Sequence, residues 1–281
     1  QIVELKGSPP AIVIKSNGGT TYLTRDVTAA KFRKTEYNFD KNLYVVDARQ
    51  SQHFKQMVGI LKKLGYEWSE DCIHIPFGAV KVEGKVMATR EGNVILLRDF
   101  IDKNAEQALK IIEERSPDDV KDKQKLAIEV AKGAIIFEML KVGRMQDVDY
   151  RSQEALNFDG NTGPRVQMLN ARLNSVIKNF GKKIPAKFDS GIFDTFEERQ
   201  IFKLLLQFGE KITEAINNYE PAIIARYVLE IADWFNRLWK IRRFIDDDKK
   251  ATAARMNLVN ILSKIVQNLL RLLGLPTPER M

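Results

Sequence analysis

Apolar and polar positions along the chain change their spacing near residue 100. Before that point, short runs of β-branched and aromatic residues alternate with stretches of helix-forming residues. After it, apolar residues recur three and four positions apart, which is the spacing of amphipathic helices. The sequence therefore predicts an α/β region followed by an all-α region.

Four runs in the first region are predicted as strands: AIVIK (11–15), TTYL (20–23), NLYVVDA (42–48) and IHIPFGAVKV (73–82). The first two flank the turn signal NGG, which favours a hairpin. Helices are predicted in TRDVTAAKFRKTEY (24–37) and QHFKQMVGILKKLGY (52–66). Strands that alternate with helices indicate an α/β sheet with parallel crossovers.

The second region is predicted as a helical bundle. Its helical segments are 103–114, 120–141, 164–180, 196–218, 221–244 and 251–274. Pro164 and Pro221 stand where a first helical turn tolerates proline, and Gly274 is predicted to end the last helix. GKKIPAKFDSG (181–191) is the clearest loop between helices.

Composition and charge narrow the choice of partner. The formal net charge is +8, and residues 231–281 hold ten Lys or Arg against five Asp or Glu, which favours a polyanionic partner. No apolar run approaches the roughly 20 residues of a membrane span, and the start has no signal-peptide pattern. We expect a cytoplasmic protein with no membrane partner.

Cys72 and His74 stand two residues apart in DCIHIPF, at the start of a predicted strand, and Cys72 is the one cysteine of the sequence. Side chains with this spacing share a strand face, which is compatible with a metal site, but no second ligand pair lies nearby. A core strand without metal is the favoured interpretation.

Polar residues follow the predicted strands, where ligands bind in open parallel sheets. Tyr22 and Asp26 lie four residues apart, and on a helix they would share a side and suit a guanidinium. Gln50, Gln52 and His53 follow the next strand. The alternatives stay open: Tyr22 could simply pack, Asp26 could cap its helix, and the glutamines could face solvent.

Several long segments, in the same order, resemble arginyl-tRNA synthetases. PPAIVIKSNGGTTYLTRDVTAAKFR, YNFDKNLYVVDARQSQHFKQ and LKKLGYEWSEDCIHIPFGAVKVEG resemble the second half of that family's catalytic domain. EALNFDGNTGPRVQMLNARLNSVIK resembles the start of its helical anticodon-binding domain, and LLGLPTPERM resembles its C-terminus. The resemblance implies a partial Rossmann-like class I catalytic domain with trailing helices (1–148) and a helical-bundle, DALR-type anticodon-binding domain (149–281).

The resemblance also implies an activity and its residues. The family ligates arginine to its tRNA with ATP and Mg²⁺. In YLTRD, Tyr22 and Asp26 match residues that hold arginine, Gln50 belongs to the same pocket, and His53 matches a Q-x-x-H pattern on the nucleotide side. The predicted partners are therefore tRNA and arginine.

KVEGKVMATREG resembles the family's KMSKS-like loop but lacks two of its cations. Val86 and Glu91 stand where lysines are expected, Ala88 replaces a serine, and Met87, Thr89 and Arg90 are kept. Lys85 stands one residue before Val86 and is the candidate to replace the charge of the missing lysine. Because that loop neutralises charge as pyrophosphate leaves, we expect weakened catalysis. The family's HIGH signature is not found in the sequence, so ATP binding by this chain stays open.

The resemblance places tRNA contacts in the second region, at Arg165, Met168, Arg172, Trp239, Arg242, Arg243 and Met281. Arg165 and Met168 stand where the family usually has tyrosines, and Asn170 replaces a histidine. Losing aromatic platforms weakens base stacking, while Arg165 could still contact phosphate. Trp239 is either a tRNA contact or a core residue.

Two functions fit these observations. The chain is either the C-terminal part of a working arginine–tRNA ligase or a degenerate paralogue that survives as a tRNA-binding, regulatory or protein-interaction module. In both cases an incomplete sheet leaves apolar surface for a missing N-terminal half or for a second copy of the chain.

Overall fold

The computed structural model describes residues 1–86, 96–115 and 122–281. The chain forms two compact units. Unit 1 contains Gln1–Ala79 and Arg144–Asp147, and unit 2 contains Val80–Gly143 and Val148–Met281. These two units are defined by contacts between residues and differ from the two domains predicted from the sequence. The predicted domain boundary at residue 148 stays a prediction.

Unit 1 contains the predicted parallel strand pair. Its elements are β1 (Ile2–Leu5), β2 (Ser8–Ile12), α1 (Tyr22–Tyr37), β3 (Asn42–Asp47), α2 (Ser51–Lys63) and β4 (Cys72–Phe77). β1 and β2 are antiparallel. β3 and β4 are parallel, in register from Asn42 opposite Cys72 to Asp47 opposite Phe77, and α2 connects them. The expectation of strands joined by helical crossovers is therefore confirmed for this pair.

One face of the β3–β4 pair is covered and the other is partly exposed. Tyr44 and Val46 point to the side of α2, where Phe54 and Met57 are buried in the core of unit 1. Side chains alternate along a strand, so Leu43 and Val45 point the opposite way. They are 45% and 65% exposed. Unit 1 thus presents an apolar sheet face.

Three predicted strands differ in the structure. Of AIVIK, only Ala11 and Ile12 belong to a strand, β2, whose partner is β1, so the predicted hairpin with TTYL is wrong. TTYL is not a strand: only Thr20 forms an isolated bridge, to Ile14, and α1 already begins at Tyr22. The hydroxyls of Thr21 and Thr24 donate to the carbonyl oxygens of Ile12 and Val13, which fixes the helix start beside β2.

IHIPFGAVKV is also not one strand. It divides at Gly78 into β4 and β5 (Val80–Val82), and β5 belongs to unit 2. At Gly78 the chain passes so close to Gln146 that an added Cβ would lie 2.3 Å from the Gln146 carbonyl oxygen. An apolar run alone cannot reveal such a crossing.

Unit 2 is mostly helical, as predicted. Besides β5 its elements are β6 (Lys85–Val86), α3 (Leu97–Arg115), α4 (Lys123–Leu140), β7 (Val148–Tyr150), α5 (Ser152–Ala155), α6 (Gly163–Phe180), α7 (Phe196–Leu206), α8 (Phe208–Asn218), α9 (Ala222–Ile241) and α10 (Lys249–Leu272). Two details differ from the prediction. The segment 196–218 forms two helices rather than one, and β7 joins a small sheet of order β6-β5-β7.

Two apolar cores lie in unit 2. The larger one is formed mainly by α6, α7, α9 and α10, with Leu173, Ile201 and Phe235 fully buried. The second lies among α3, α4 and β7, where the buried Tyr150 hydroxyl donates to Oδ1 of Asn104 at 2.5 Å. In the described part of the chain, no helix is long and apolar enough to cross a bilayer.

α4 and α6 approach each other at two glycines, Gly133 and Gly163. A Cβ added at Gly163 would lie 2.2 Å from the carbonyl oxygen of Gly133. Close backbone approach of this kind requires glycine because any side chain would occupy the space of the neighbouring helix. The residues after α10 pack nearby, and we call residues 275–281 the tail.

The tail is held by buried amides of α6. Gln167 donates to the carbonyl oxygen of Pro276, and Asn170 donates to that of Pro278, both at 3.0 Å. Both amide side chains are fully buried. Since a buried amide needs partners, the two bonds fix the tail along α6.

Candidate functional site

The residues predicted to bind arginine lie at the start of α1 and before α2. Tyr22, in the first turn of α1, is 79% exposed, and the Arg25 guanidinium lies 5.6 Å from its ring centroid. Gln50 is exposed immediately before α2. Among the described residues no hydrogen bond joins Gln50 to Tyr22 or Asp26. Exposure of Tyr22 and Gln50 leaves both available to a ligand.

Asp26 is joined to a residue that was predicted for the nucleotide side. Nε2 of His53 lies 2.7 Å from Oδ2 of Asp26. The His53 side chain is 23% exposed, and the ring of Phe54 packs edge-on against it. The structure therefore brings Asp26 and His53 together, with α2 supplying the histidine and α1 the carboxylate.

A second carboxylate, Asp47, ends β3 close to Gln50 in sequence. It accepts hydrogen bonds from the backbone N–H of Arg49 at 2.8 Å and from the Arg49 side chain at 2.8 and 2.9 Å. The Arg49 guanidinium and backbone N–H lower the pKa of Asp47 to about 2. Asp47 therefore stays ionised, and Arg49 already occupies both of its oxygens.

The other nucleotide-side candidates fall mostly outside the described residues. Lys85 is exposed in β6, whereas Met87, Thr89 and Arg90 lie in the range that the structure does not describe. Within the described ranges, no three His, Cys, Asp or Glu side chains are grouped to hold a metal. Nε2 of His74 is instead within 3.0 Å of the carbonyl oxygen of Val46, and Cys72 is buried.

The predicted tRNA residues of α6 and α9 form one polar surface. Arg165 forms an ion pair with Asp233 and donates to Asn161 at 3.1 Å, so that only 16% of its side chain is exposed. Arg172, two helical turns further, donates to Oδ1 of Asn236 at 2.8 Å. We call the surface of Arg165, Arg172, Asp233, Asn236 and Trp239 the α6–α9 face.

Trp239 is both packed and accessible, so the structure is compatible with either of the two roles that the sequence left open. Its ring packs against those of Phe235 and Phe244, with centroids 5.8 and 5.6 Å away, yet Trp239 is 40% exposed. The Arg172 guanidinium lies 6.0 Å from the ring centroid. A guanidinium has five N–H donors, so a single bond to Asn236 leaves donors for a phosphate or a base edge.

The remaining predicted tRNA residues differ in their availability. Arg242 pairs with Asp194 and lies 3.8 Å from Glu198, while Arg243 is exposed. Met168 and Met281 are partly buried against the core of α3, α4 and β7. Their contacts with tRNA stay predictions.

Two functional candidates were missed from sequence, namely Asp233 and Asn236. They stand three residues apart on α9, opposite arginines that stand seven residues apart on α6. Polar residues at helical spacing on α9 were the available signal. The sequence did not show which helix Asp233 and Asn236 would face.

Comparison with known proteins gives consistent matches. Residues 1–151 match the model of the family described as tRNA synthetases class I (R), catalytic domain. Residues 166–281 match that of the DALR anticodon binding domain.

Individual relatives match the whole chain. The arginine–tRNA ligase of Halothermothrix orenii is 39% identical over 283 residues, and that of Clostridium beijerinckii is 38% identical over 286 residues. Each match covers 100% of this chain and 50% of the relative. The chain therefore spans about half the length of these relatives.

Solved structures show the same fold. The Thermus thermophilus arginyl-tRNA synthetase has a TM-score of 0.88 at 28% identity, over 99% of this chain and 52% of that one. The Plasmodium falciparum arginyl-tRNA synthetase has a TM-score of 0.84 at 21% identity, over 100% of this chain and 48% of that one, and supports the fold alone.

Proposed function

Because the chain belongs to the arginyl-tRNA synthetase family, we propose that it contributes tRNA binding and part of the arginine pocket to an arginine–tRNA ligase. The proposal concerns the part of the relatives that this chain spans. The α6–α9 face is the observation that carries it, because it combines an accessible indole with a guanidinium inside the anticodon-binding domain.

Binding of tRNA by this face would use two kinds of contact. The exposed part of Trp239 offers a stacking surface to an unpaired base, worth roughly 1–3 kcal/mol per base. Arg172 offers donors to phosphate, and the net charge of +8 supplies long-range attraction. Arg165 has a supporting role, since its pair with Asp233 orients α9 against α6.

Titration of the purified chain with fluorescently labelled arginine tRNA tests this proposal. We expect binding at about 50 mM salt that weakens markedly by about 200 mM, because displaced counterions make phosphate contacts salt-dependent. The same titration with a single-stranded oligonucleotide of the acceptor end is the control and should bind more weakly. No detectable binding of the tRNA at about 50 mM salt would refute the proposal.

The arginine side of the proposal depends on Asp26. A carboxylate is the natural partner of the planar guanidinium of arginine. His53 contacts Oδ2 of Asp26, so Oδ1 is left for a ligand, and the exposed Tyr22 and Gln50 are candidates for the neighbouring contacts. We propose that His53 orients this carboxylate.

Catalysis by the chain alone is a separate question, and we propose that it is absent. The family uses ATP, but Val86 and Glu91 replace two lysines of its mobile loop. The second candidate function, a non-catalytic tRNA-binding or protein-interaction module, is favoured by these substitutions.

Partners and compartment follow from the same proposal. The partly exposed β3–β4 face, with Leu43, Val45 and the 38% exposed Phe77, suits coverage by protein. We propose that the remaining half of a ligase or a second copy covers it. Sedimentation of the chain alone distinguishes the two, since a concentration-dependent dimer supports the second copy. With tRNA as partner, the proposed compartment is the cytoplasm.

A further inference from the structure

A basic cleft of about 320 Å³ lies among α6, α10 and the tail. Lys178, Arg271 and Arg280 line it, and Glu279 is the one carboxylate among its lining residues. Among the described residues, none forms an ion pair or a hydrogen bond with the side chain of Lys178, Arg271 or Arg280. Three cations against one carboxylate leave the cleft with uncompensated positive charge.

The tail wall of the cleft is fixed in place. The carbonyl oxygens of Pro276 and Pro278 accept the bonds from Gln167 and Asn170, and each proline restricts its own φ angle. Thr277 lies between these two anchors, and Arg280 follows them. Arg280 therefore follows two residues after an anchored carbonyl.

A neutral donor accompanies the cations. Oδ1 of Asn174 accepts hydrogen bonds from Oγ of Ser263 and Nε2 of Gln267, both at 3.2 Å. With its oxygen engaged, Asn174 has its NH₂ group left to donate. The cleft is thus lined by donors of hydrogen bonds on α6, α10 and the tail.

This cleft is separate from the α6–α9 face. An α-helix turns by about 100° per residue, so Asn174 lies about 180° around α6 from Arg165 and Lys178 about 220°. The residues that contact α9 and those that line the cleft therefore occupy different sides of the same helix.

We propose that the cleft is a second anion site that binds a phosphate group. Arginine forks and a lysine suit phosphate oxygens, and the volume lies at the small end of the range for ligand sites. Two sources supply the same chemistry, namely a free phosphate or mononucleotide and a backbone phosphate of tRNA. The free-phosphate source goes beyond the proposed function and does not depend on it, whereas the tRNA source rests on the proposed binding of tRNA.

Calorimetric titrations with inorganic phosphate and with a 5′-mononucleotide test the first source, and labelled tRNA tests the second. The variant K178Q/R271Q removes two cleft cations while keeping polar side chains. K249Q/K250Q is the matched control, because it removes two cations from the same α10 about 30 Å away. Glu279→Gln removes the opposing carboxylate from an exposed position.

A free-phosphate site predicts that the small probes bind the wild-type chain and K249Q/K250Q, and that K178Q/R271Q loses at least tenfold in affinity. A backbone site predicts no binding of small probes, while K178Q/R271Q lowers the salt slope of tRNA binding by about 1, and more than the control does. In either case Glu279→Gln strengthens binding about twofold or more. Trp239→Ala, which tests the proposed function, leaves binding of the small probes unchanged.

The proposal is overturned if K178Q/R271Q and K249Q/K250Q behave alike with all three probes. It is also overturned if the wild-type chain binds none of them. Should K178Q/R271Q fail to fold, as judged by its circular dichroism melt, Glu279→Gln decides, and unchanged affinity for every probe refutes the site.

Discussion

Nε2 of His53 and Oδ2 of Asp26 lie 2.7 Å apart, which links α2 to the first turns of α1. The contact leaves the carboxylate 41% exposed, so it is oriented but still accessible. A side chain held in this way suits recognition of a guanidinium, because less conformational freedom is lost when the ligand binds.

We predict that Asp26→Asn lowers the affinity for arginine at least about tenfold, since hydrogen bonds to charged groups contribute roughly 1.5–3 kcal/mol. Isothermal titration of the chain with arginine measures the effect. Glu36→Gln, which removes an exposed carboxylate from the same helix, is the control and should bind like the wild type. Equal affinities for Asp26→Asn and wild type would remove Asp26 from the pocket.

Trp239 gives the corresponding prediction for tRNA. Trp239→Ala should weaken binding of arginine tRNA about tenfold at low salt, because it removes the stacking surface and the contact with Arg172. Trp239→Phe should retain part of the affinity. Fluorescence anisotropy measures all three proteins, with melting curves to show that each is folded.

Phe196→Ala is the control for this series. Phe196 is another exposed aromatic of unit 2, 56% exposed, and is not part of the α6–α9 face. We expect its loss to change tRNA affinity by less than about twofold, since stacking energy comes from particular platforms. If Phe196→Ala weakens binding as much as Trp239→Ala does, the α6–α9 face is not the specific contact.

Catalytic activity gives a third prediction. The chain alone should show no arginine-dependent exchange between ATP and pyrophosphate, because Val86 and Glu91 stand where the family's KMSKS-like loop has two lysines. A reaction without arginine is the blank, and a full-length ligase of the family is the positive control. Exchange clearly above the blank would contradict the proposal of an inactive chain.

Alkaline pH should destabilise the fold through buried tyrosines. Burial, followed by the nearby Glu230, raises the pKa of Tyr227 to about 12 from an ordinary 10.0. Below pH 10 the Tyr227 hydroxyl is protonated in both the folded and the unfolded chain, so its ionisation takes nothing from the free energy of unfolding. Above pH 10 the unfolded chain ionises first, so about 2–3 kcal/mol is lost as the pH rises through 12.

Tyr227→Phe separates this effect from others. The variant should be about 1 kcal/mol less stable near pH 8, because the bond from the Tyr227 hydroxyl to the Leu204 carbonyl is lost. Between pH 10 and 12 its stability should fall less steeply than that of the wild type. Urea unfolding over this range measures both, and Tyr37→Phe, at an exposed tyrosine, should keep the wild-type dependence. Identical slopes for Tyr227→Phe and wild type would refute the assignment.

The close approach of α4 and α6 gives a prediction about stability. Gly163→Ala should lower the free energy of unfolding by about 2–3 kcal/mol, because its Cβ would meet backbone atoms of Gly133 that cannot move independently. Gly209→Ala, in α8 with open space around it, should be neutral or raise stability by about 0.5–1 kcal/mol. A stable Gly163→Ala protein would mean that the two helices can separate without cost.

The sequence predicted the helices well because their apolar spacing is sustained over many turns, as in α9 and α10. The strands were harder. β7 has three residues, too few for alternation to be visible, and the apolar run through Gly78 gives no sign that its two ends join different sheets. Thr20–Leu23 looked like a strand, but hydroxyl bonds to β2 decide where α1 begins.

The sequence named candidate site residues, which stay predictions, but it did not show how their side chains pair. Asp26 and His53 were assigned to different ligands, although they touch across 27 positions of sequence. Arg165 was predicted as a residue that could still contact phosphate, and the structure pairs its guanidinium with Asp233, a partner that the sequence did not indicate. Pairs of this kind depend on how helices dock, and local periodicity carries no information about docking.

The anchoring of the tail has a consequence for the kinetics of folding. The bonds from Gln167 to Pro276 and from Asn170 to Pro278 span 109 and 108 residues. Each helix of unit 2 can form locally and fast, but these contacts close a very long loop and so raise the contact order of a mostly helical unit. Tail docking should therefore be a late event in refolding. Until it occurs, the side chains of Gln167 and Asn170, which are buried in the folded chain, stay exposed to solvent.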